Sequence, residues 1–380
     1  MLLTLLSILT CIILVISLIE TAWGLQSLTR LETISPSINT KDKVSIVITA
    51  CNEEEHIKET LAHLTNQVYS NIEILCINDR STDETGQILN NFAKEDTRIK
   101  VKHITDLPAG WLGKNHAAYT GASLATGDWL LFIDADVFLK PYALSRALNY
   151  AMSQGLDHLS AFAHYKCHGF LYNIVHLVWQ GHGLVIPLKP WLAKSRHSKK
   201  SMNLGVFCLV KKSVYEACGG HEIAPLECVE DFRLGERIKQ SGYLQEVVSA
   251  QMDISISWYA TLRDHIHGFK KNVFAYFRYR LPPVILGIVG WYVLFVWPEF
   301  ACFLTDGICQ YINLVNTFLL FLLYLIVSKF FKVSQFYAFF YPLGLIVYPF
   351  FILSSVYHFY KNRGIYWRGT FYDAETLRKS

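Results

Sequence analysis

The stretch from Trp111 to Val137, WLGKNHAAYTGASLATGDWLLFIDADV, carries an apolar run that ends in two aspartates one residue apart, Asp134 and Asp136. Trp129 to Ile133 has strand length and is almost wholly apolar, and residues two apart on a strand point to the same side. The two carboxylates are therefore expected to converge on one hard cation, which takes oxygen ligands and leaves positions open for phosphate oxygens. A lone D-x-D arises by chance about once in a few hundred residues at ordinary acidic usage, so the neighbouring segments decide its meaning.

Upstream, Val44 to Thr49 reads as a buried strand, VSIVIT, followed by Ala50, Cys51, Asn52 and Glu53 to Glu55. Ile57, Leu61 and Leu64 then recur at helix spacing, and the three glutamates are expected in the first helical turn, where the helix dipole favours them. A second unit repeats the plan: strand Ile72 to Ile77, the polar run NDRSTDE from Asn78 to Glu84, and a helix through Ile88 and Phe92. Ser81 and Glu84 have capping-box spacing. A short strand near Ile99 to Ile104 precedes a loop holding Gly113 and Lys114, where the compact lysine charge suits a phosphate. A small-residue helix leads on to the strand ending at Asp134. Alternating strands and helices of these lengths predict an α/β domain, a mostly parallel sheet with helices on both faces. In such sheets ligands bind at the carboxyl ends of the strands, where Asn52, Glu53, Asp79, Asp134 and Asp136 all fall.

The segments VSIVITACNEEE, INDRSTDET, GDWLLFIDADV and CVEDFRLGERI, in this order over residues 43–245, resemble the four landmarks of the family 2 glycosyltransferases with the GT-A fold. Within that family the chain is similar to membrane-bound enzymes that glycosylate lipids, of the hopanoid-associated, carotenoid and ceramide glucosyltransferase types. The resemblance implies a nucleotide diphosphate sugar as donor, UDP-sugar favoured, and a divalent cation, Mn²⁺ or Mg²⁺. It further implies that Ala50, Asn52 and Glu53 line the nucleotide site, that Asp79 meets the base, that Asp134 faces the ribose or the metal, and that Asp136 coordinates the metal. Glu230 and Asp231 match the family's E-D landmark, which makes Asp231 the expected general base of an inverting displacement, with Glu230 beside it. The processive synthases of the family carry Q-x-x-R-W after the catalytic domain; this chain has none, which argues for one sugar per acceptor. A processive polysaccharide synthase and a non-catalytic nucleotide-sugar-binding membrane protein are the rival readings.

Composition agrees with a catalytic domain joined to membrane segments. Hydrophobic residues make up 52% of the 380 and aromatic residues 14%, above the usual soluble mix, and the excess lies at the two ends. Met1 to Ile19 is uncharged and lacks an A-x-A-like cleavage site, so residues 1–25 read as an uncleaved anchor. Arg30, Lys41 and Lys43 follow it and predict a cytoplasmic catalytic domain, residues 43–255, on a multi-pass inner-membrane protein. Leu281 to Pro298, Gly307 to Ser328 and Val333 to Tyr360 carry no Asp, Glu, Lys or Arg and are membrane candidates within residues 281–360. Three crossings would put Lys361, Arg363, Arg368 and Lys379 of the tail, residues 361–380, outside, against the charge rule. A re-entrant segment around Pro342 and Pro349 would keep the tail inside. Trp367, Arg368, Gly369 and Tyr372 resemble a W-x-G-x-x-Y tail of related lipid glycosyltransferases, which makes best sense facing the donor.

Residues 256–280 read as an interfacial helix. Leu262, Ile266, Phe269, Val273 and Phe277 form an apolar stripe, and Arg263, His267, Lys270, Lys271 and Arg278 form a basic face suited to anionic headgroups. The nine cysteines form no C-x-x-C pair, and the histidines no H-E-x-x-H. The formal charge of +4 gives no reason to expect nucleic acid.

Overall fold

The computed structural model describes residues 1–36, 40–259 and 261–379. Ala260, within the segment read as interfacial, and the side chain of Lys379 lie outside the description. Helix α1 (Leu2–Ser27) leads into an α/β domain built from β1 (Val44–Ala50), α2 (Ile57–Thr65), β2 (Ile72–Asp79), α3 (Thr85–Glu95), β3 (Ile99–Ile104), α4 (Gly113–Leu124) and β4 (Trp129–Asp134). It continues through β5 (Val137–Leu139), α5 (Ala143–Ser153), β6 (His158–Phe162), β7 (His164–Tyr165) and α6 (Phe170–Val178), which runs on through a π-helical turn (Trp179–Val185) into α7 (Ile186–Leu188). Then come β8 (Cys208–Lys211), α8 (Lys212–Ala217), α9 (Glu230–Gln240), β9 (Gln245–Ser249) and β10 (Ile254–Ile256).

Seven strands form the main sheet in the order β3-β2-β1-β4-β8-β6-β9. The expected parallel arrangement holds for β3, β2, β1 and β4, whereas β8 runs antiparallel to both its neighbours, so the sheet is mixed. Every residue of β1 and of β2 is buried, as strands covered on both faces must be. Val47, Leu75, Ile77 and Leu130 pack with Ala117 of α4 and with Leu234 and Ile238 of α9. Ile46, Ile48, Ile74 and Leu131 belong to the opposite core with Leu61 of α2 and Leu144 of α5. Register then fixes the rim: Thr49 lies beside Asp134 and Ala50 beside Asn78.

Two local expectations fail. Glu53 to Glu55 form a turn ahead of α2, which begins at Ile57, so of the glutamates only Glu59 occupies its first turn. Ser81 and Glu84 make no capping box, because α3 begins later, at Thr85, whose N–H donates to the Asp83 carboxylate at 3.0 Å. The Ser81 hydroxyl instead accepts from the Asn52 N–H at 3.0 Å, sewing the turn after β1 to the turn after β2.

Helix α10 (Leu262–Tyr276) leads into α11 (Leu281–Trp291), which continues through a π-helical turn into α12 (Trp297–Leu304), followed by α13 (Gly307–Phe330) and α14 (Tyr341–Asn362). The chain closes with β11 (Gly364–Trp367), β12 (Thr370–Asp373) and α15 (Ala374–Lys379). Among the described residues four helical stretches are long and apolar enough to cross a membrane: Leu2–Ser27, Leu281–Leu304, Gly307–Phe330 and Gln335–Asn362. α1 lies along α13, where the Asn313 amide donates to the Ser7 hydroxyl at 2.8 Å and the Asn316 amide to the Ser7 carbonyl at 3.1 Å. Such polar contacts hold helices together where no hydrophobic gain is available.

The last apolar stretch goes out and comes back. α13 ends against the α/β domain, with the Gln251 amide donating to the Phe330 carbonyl at 2.8 Å and Phe331 edge-on to Phe162. The chain then climbs beside α13 to Tyr341, whose hydroxyl donates to the Thr317 carbonyl at 3.0 Å and to Glu299 at 2.6 Å. α14 descends past Ile174 and Val178 of α6, which Gly344 lets it approach closely, to Ser355, whose hydroxyl donates to the Lys270 carbonyl of α10 at 2.6 Å. Both ends of this stretch therefore rest on the α/β domain.

The apolar stripe of α10 packs inward, with Phe269 buried and Leu262, Ile266, Val273 and Phe277 packed against the core. His265, Phe274 and Ala275 are buried as well, and His267, Lys270 and Lys271 of the basic face line a cavity. The helix is packed against α14 as well as the domain, so its burial extends beyond the stripe.

Candidate active site

Because β1, β2 and β4 are parallel and in register, the turns that follow them meet at one edge of the sheet. Asn52 adopts a left-handed backbone (φ +56°), tolerable for asparagine, and its side-chain oxygen accepts from the Thr82 N–H at 2.8 Å. The Glu53 N–H donates to Thr85 at 2.8 Å, and this turn presents the Glu53 carboxylate to the Arg368 guanidinium at 2.8 Å. Burial raises the Glu53 pKa and Asp134 adds to the rise, while Arg368 opposes it.

Asp79, at the end of β2, is buried and takes two hydrogen bonds from Arg80, at 2.8 and 3.1 Å. A Cβ on Gly113 would stand 2.2 Å from its carboxylate, so glycine is required there by close approach. Lys114 occupies the first turn of α4, not a loop, since the helix begins at Gly113. Its ammonium bridges Asp134 at 2.8 Å and Glu230 at 2.9 Å. Burial alone would lower the Lys114 pKa, but Asp134, Glu230 and Asp231 outweigh it and hold the lysine charged.

Asp134 closes β4 and Asp136 follows in the turn towards β5, whose partner β10 reaches back to it through the Ser257 N–H, 3.3 Å from the Asp136 carbonyl. Burial first, then Asp134 and Glu53, push the Asp136 carboxyl well above the usual carboxylate range. Among the described residues no three His, Cys, Asp or Glu side chains form a ready metal cage. Even so, a buried carboxylate crowded by two others suits a divalent cation whose remaining ligands come from a bound phosphate.

Across the cleft, Glu230 and Asp231 open α9, whose dipole favours acids there. The Asp231 carboxylate accepts from the Gly205 N–H and from the Phe232 N–H, both at 2.7 Å. Burial and then Glu230 push its carboxyl up to about 7, against the pull of Lys114. A buried acid adjusted to neutral pH is what a general base requires.

Glu53, Lys114, Asp134, Asp136, Glu230 and Asp231 line one cavity of about 1110 Å³. Ala50, Asn52 and Asp79 are not among its lining residues. The same cavity is also lined by Trp179 and Trp258, and by Trp291 of α11 and Tyr348 of α14. Two lining residues, Arg368 and Lys271, were assigned no role there by the sequence. The tail motif pointed to the first, and helical periodicity misdirected the second.

Residues 45–219 match the family described as glycosyl transferase family 2. The 4,4'-diaponeurosporenoate glycosyltransferase of Staphylococcus haemolyticus is 28% identical over 262 residues, 67% of this chain and 67% of that protein. The protein of the same name from Staphylococcus aureus strain N315 is 29% identical over 213 residues, 54% of this chain and 53% of that protein. The matched region thus spans between about half and two thirds of these curated relatives. In fold the chain is similar to the mannosyltransferase PcManGT from Pyrobaculum calidifontis, solved with GDP-Man and Mn²⁺, with a TM-score of 0.59 and 13% identity over 95% of this chain and 99% of that one.

Proposed function

We propose that the chain, whose residues 45–219 match glycosyl transferase family 2, is a transferase of that class that moves a single sugar from a nucleotide diphosphate sugar, UDP-sugar favoured, to a membrane lipid by inverting displacement. The observation that carries this reading is the one cavity lined both by Asp136 and Asp231 and by Trp291 and Tyr348, on apolar helices. A water-soluble donor enters beside the sheet, and an apolar acceptor enters between the helices. The staphylococcal relatives act on 4,4'-diaponeurosporenoate, a carotenoid, and an elongated apolar acceptor suits the aromatic wall here.

Asp231 takes the proton of the acceptor hydroxyl as its oxygen bonds to the anomeric carbon and the bond from that carbon to the phosphate breaks. The Gly205 and Phe232 N–H groups hold the carboxylate in place for this transfer. Lys114 bridges Asp134 and Glu230 across the cleft. Asp136 and Asp134 would hold a divalent cation, Mn²⁺ or Mg²⁺, which would supply electrostatic stabilisation of the departing diphosphate. We place the catalytic domain on the cytoplasmic side of a bacterial inner membrane, where nucleotide sugars are made.

The test is release of nucleotide diphosphate from a panel of UDP- and GDP-sugars by the purified protein with a lipid extract and Mn²⁺ or Mg²⁺. Lipid-stimulated release from one donor, with one glycolipid as product, is expected. A ladder of lengthening products overturns the single-transfer reading, and release from no donor overturns the transferase reading.

A further inference from the structure

Four cationic residues line the cavity, Lys114, Lys270, Lys271 and Arg368, and the partners of three of them differ. Lys114 is shared by Asp134 and Glu230. Arg368 has one ion pair, with Glu53 at 2.8 Å, and also meets the Cys51 thiol. Lys271 has no carboxylate partner among the described residues; its ammonium lies 3.7 Å from the centroid of the Trp367 ring. Burial, then Arg368, then Lys114, hold the Lys271 pKa down to about 7. A buried ammonium flanked by other cations is electrostatically unsatisfied and favours an incoming anion.

The tail places its arginine at some conformational cost. β11 and β12 pair with Trp367 opposite Thr370, leaving Arg368 and Gly369 as a two-residue turn. Both have positive φ, +47° and +79°, a pattern for which glycine or asparagine is preferred at the first position. An arginine held left-handed there is local strain at the tip of a hairpin that points into the cleft. The hairpin is also anchored beside the nucleotide end of the sheet: Arg80 donates to Thr370 at 3.3 Å, and Arg80 in turn holds Asp79. That corner is where an open α/β sheet holds a nucleotide.

We propose that Arg368 and Lys271 form a two-pronged clamp for the diphosphate of the donor, Arg368 exchanging its contact with Glu53 for a phosphate oxygen while Trp367 holds Lys271 in position. The clamp rests on the donor reading given above and adds the C-terminal hairpin to the binding site. The guanidinium fork suits phosphate geometry and the lysine acts as a point charge. Arg368, and the Trp367 ring that holds Lys271, both lie beyond the last apolar helix, so the donor site is completed only when the tail has folded back across it.

The experiment is calorimetric titration of the full-length protein in detergent with UDP and UMP, and with GDP and GMP, in the presence of Mn²⁺. Arg368→Gly and Lys271→Gln are each expected to weaken diphosphate binding by about tenfold or more while changing monophosphate binding by less than about threefold. Glycine suits the positive φ, so Arg368→Gly should keep the wild-type melting temperature, and Lys271→Arg should restore the preference for diphosphate. Equal losses for mono- and diphosphates, or no loss, overturn the clamp and leave the donor reading intact. Wild-type protein that binds no nucleotide overturns the donor reading and the clamp together.

Discussion

At the scale of single residues, two aspartates divide the work, and their variants should separate. Asp136→Ala removes the most crowded carboxylate of the metal end and is expected to abolish Mn²⁺-dependent donor binding; calorimetry showing unchanged affinity would contradict it. Asp231→Asn keeps the shape of the base, gives up one of its two backbone hydrogen bonds, and should leave donor affinity nearly intact while lowering turnover by about a hundredfold or more. Because Asp231 must be ionised to accept a proton, kcat/KM should rise as pH passes through about 7, and that rising limb should vanish in the Asn variant. Stability runs the other way. The folded pKa of Asp231 is raised by burial and Glu230, so its contribution is full below the ordinary carboxylate value of about 4 and is lost as pH rises through about 7. Asp231→Asn should accordingly melt less steeply with rising pH between those limits, at the expense of the activity.

At the scale of elements, packing decides what periodicity leaves open. The strands ending at Ala50, Asp79 and Asp134, and the acids opening α9, were legible because buried parallel strands are nearly all apolar and helix starts carry acids. Local pattern misplaced Lys114 by a few residues, since a leucine with extended backbone, Leu112, begins the helix in place of a polar cap. It misassigned Lys271 because α10 is enclosed on more than one side. It offered no route to the contact between Glu53 and Arg368, which joins segments 315 positions apart. Helix contact is itself open to test. A Cβ on Gly344 would sit 2.5 Å from a Val178 methyl and 3.1 Å from an Ile174 methyl, so Gly344→Val should wedge α14 from α6 and cost about 1–3 kcal/mol. A lowered melting temperature in detergent would register it, and an unchanged one would show that α14 is loosely held.

At the scale of the whole molecule, the out-and-back path from Gln335 to Asn362 bears on the proposed orientation. If α1, the α11–α12 stretch and α13 are the crossings, Lys329, Lys332, Lys361, Arg363 and Arg368 share the face of the α/β domain, as the positive-inside rule asks. Cysteines introduced at Lys332 and Arg363 should therefore react with a membrane-impermeant thiol reagent from one side of sealed vesicles, and one at Asp306 from the other. Opposite labelling of Lys332 and Arg363 would make α14 a full crossing and contradict the contact of the tail with Glu53. The same path has a consequence for the bilayer. On the proposed function, a cavity with its apolar mouth beside an out-and-back helix would draw acceptors from one leaflet and return them, now sugar-headed and bulkier, to that same leaflet. Each turnover would thus enlarge one monolayer's headgroup area at constant lipid number, and the resulting lateral pressure would persist until a separate flippase shares the product between the two monolayers.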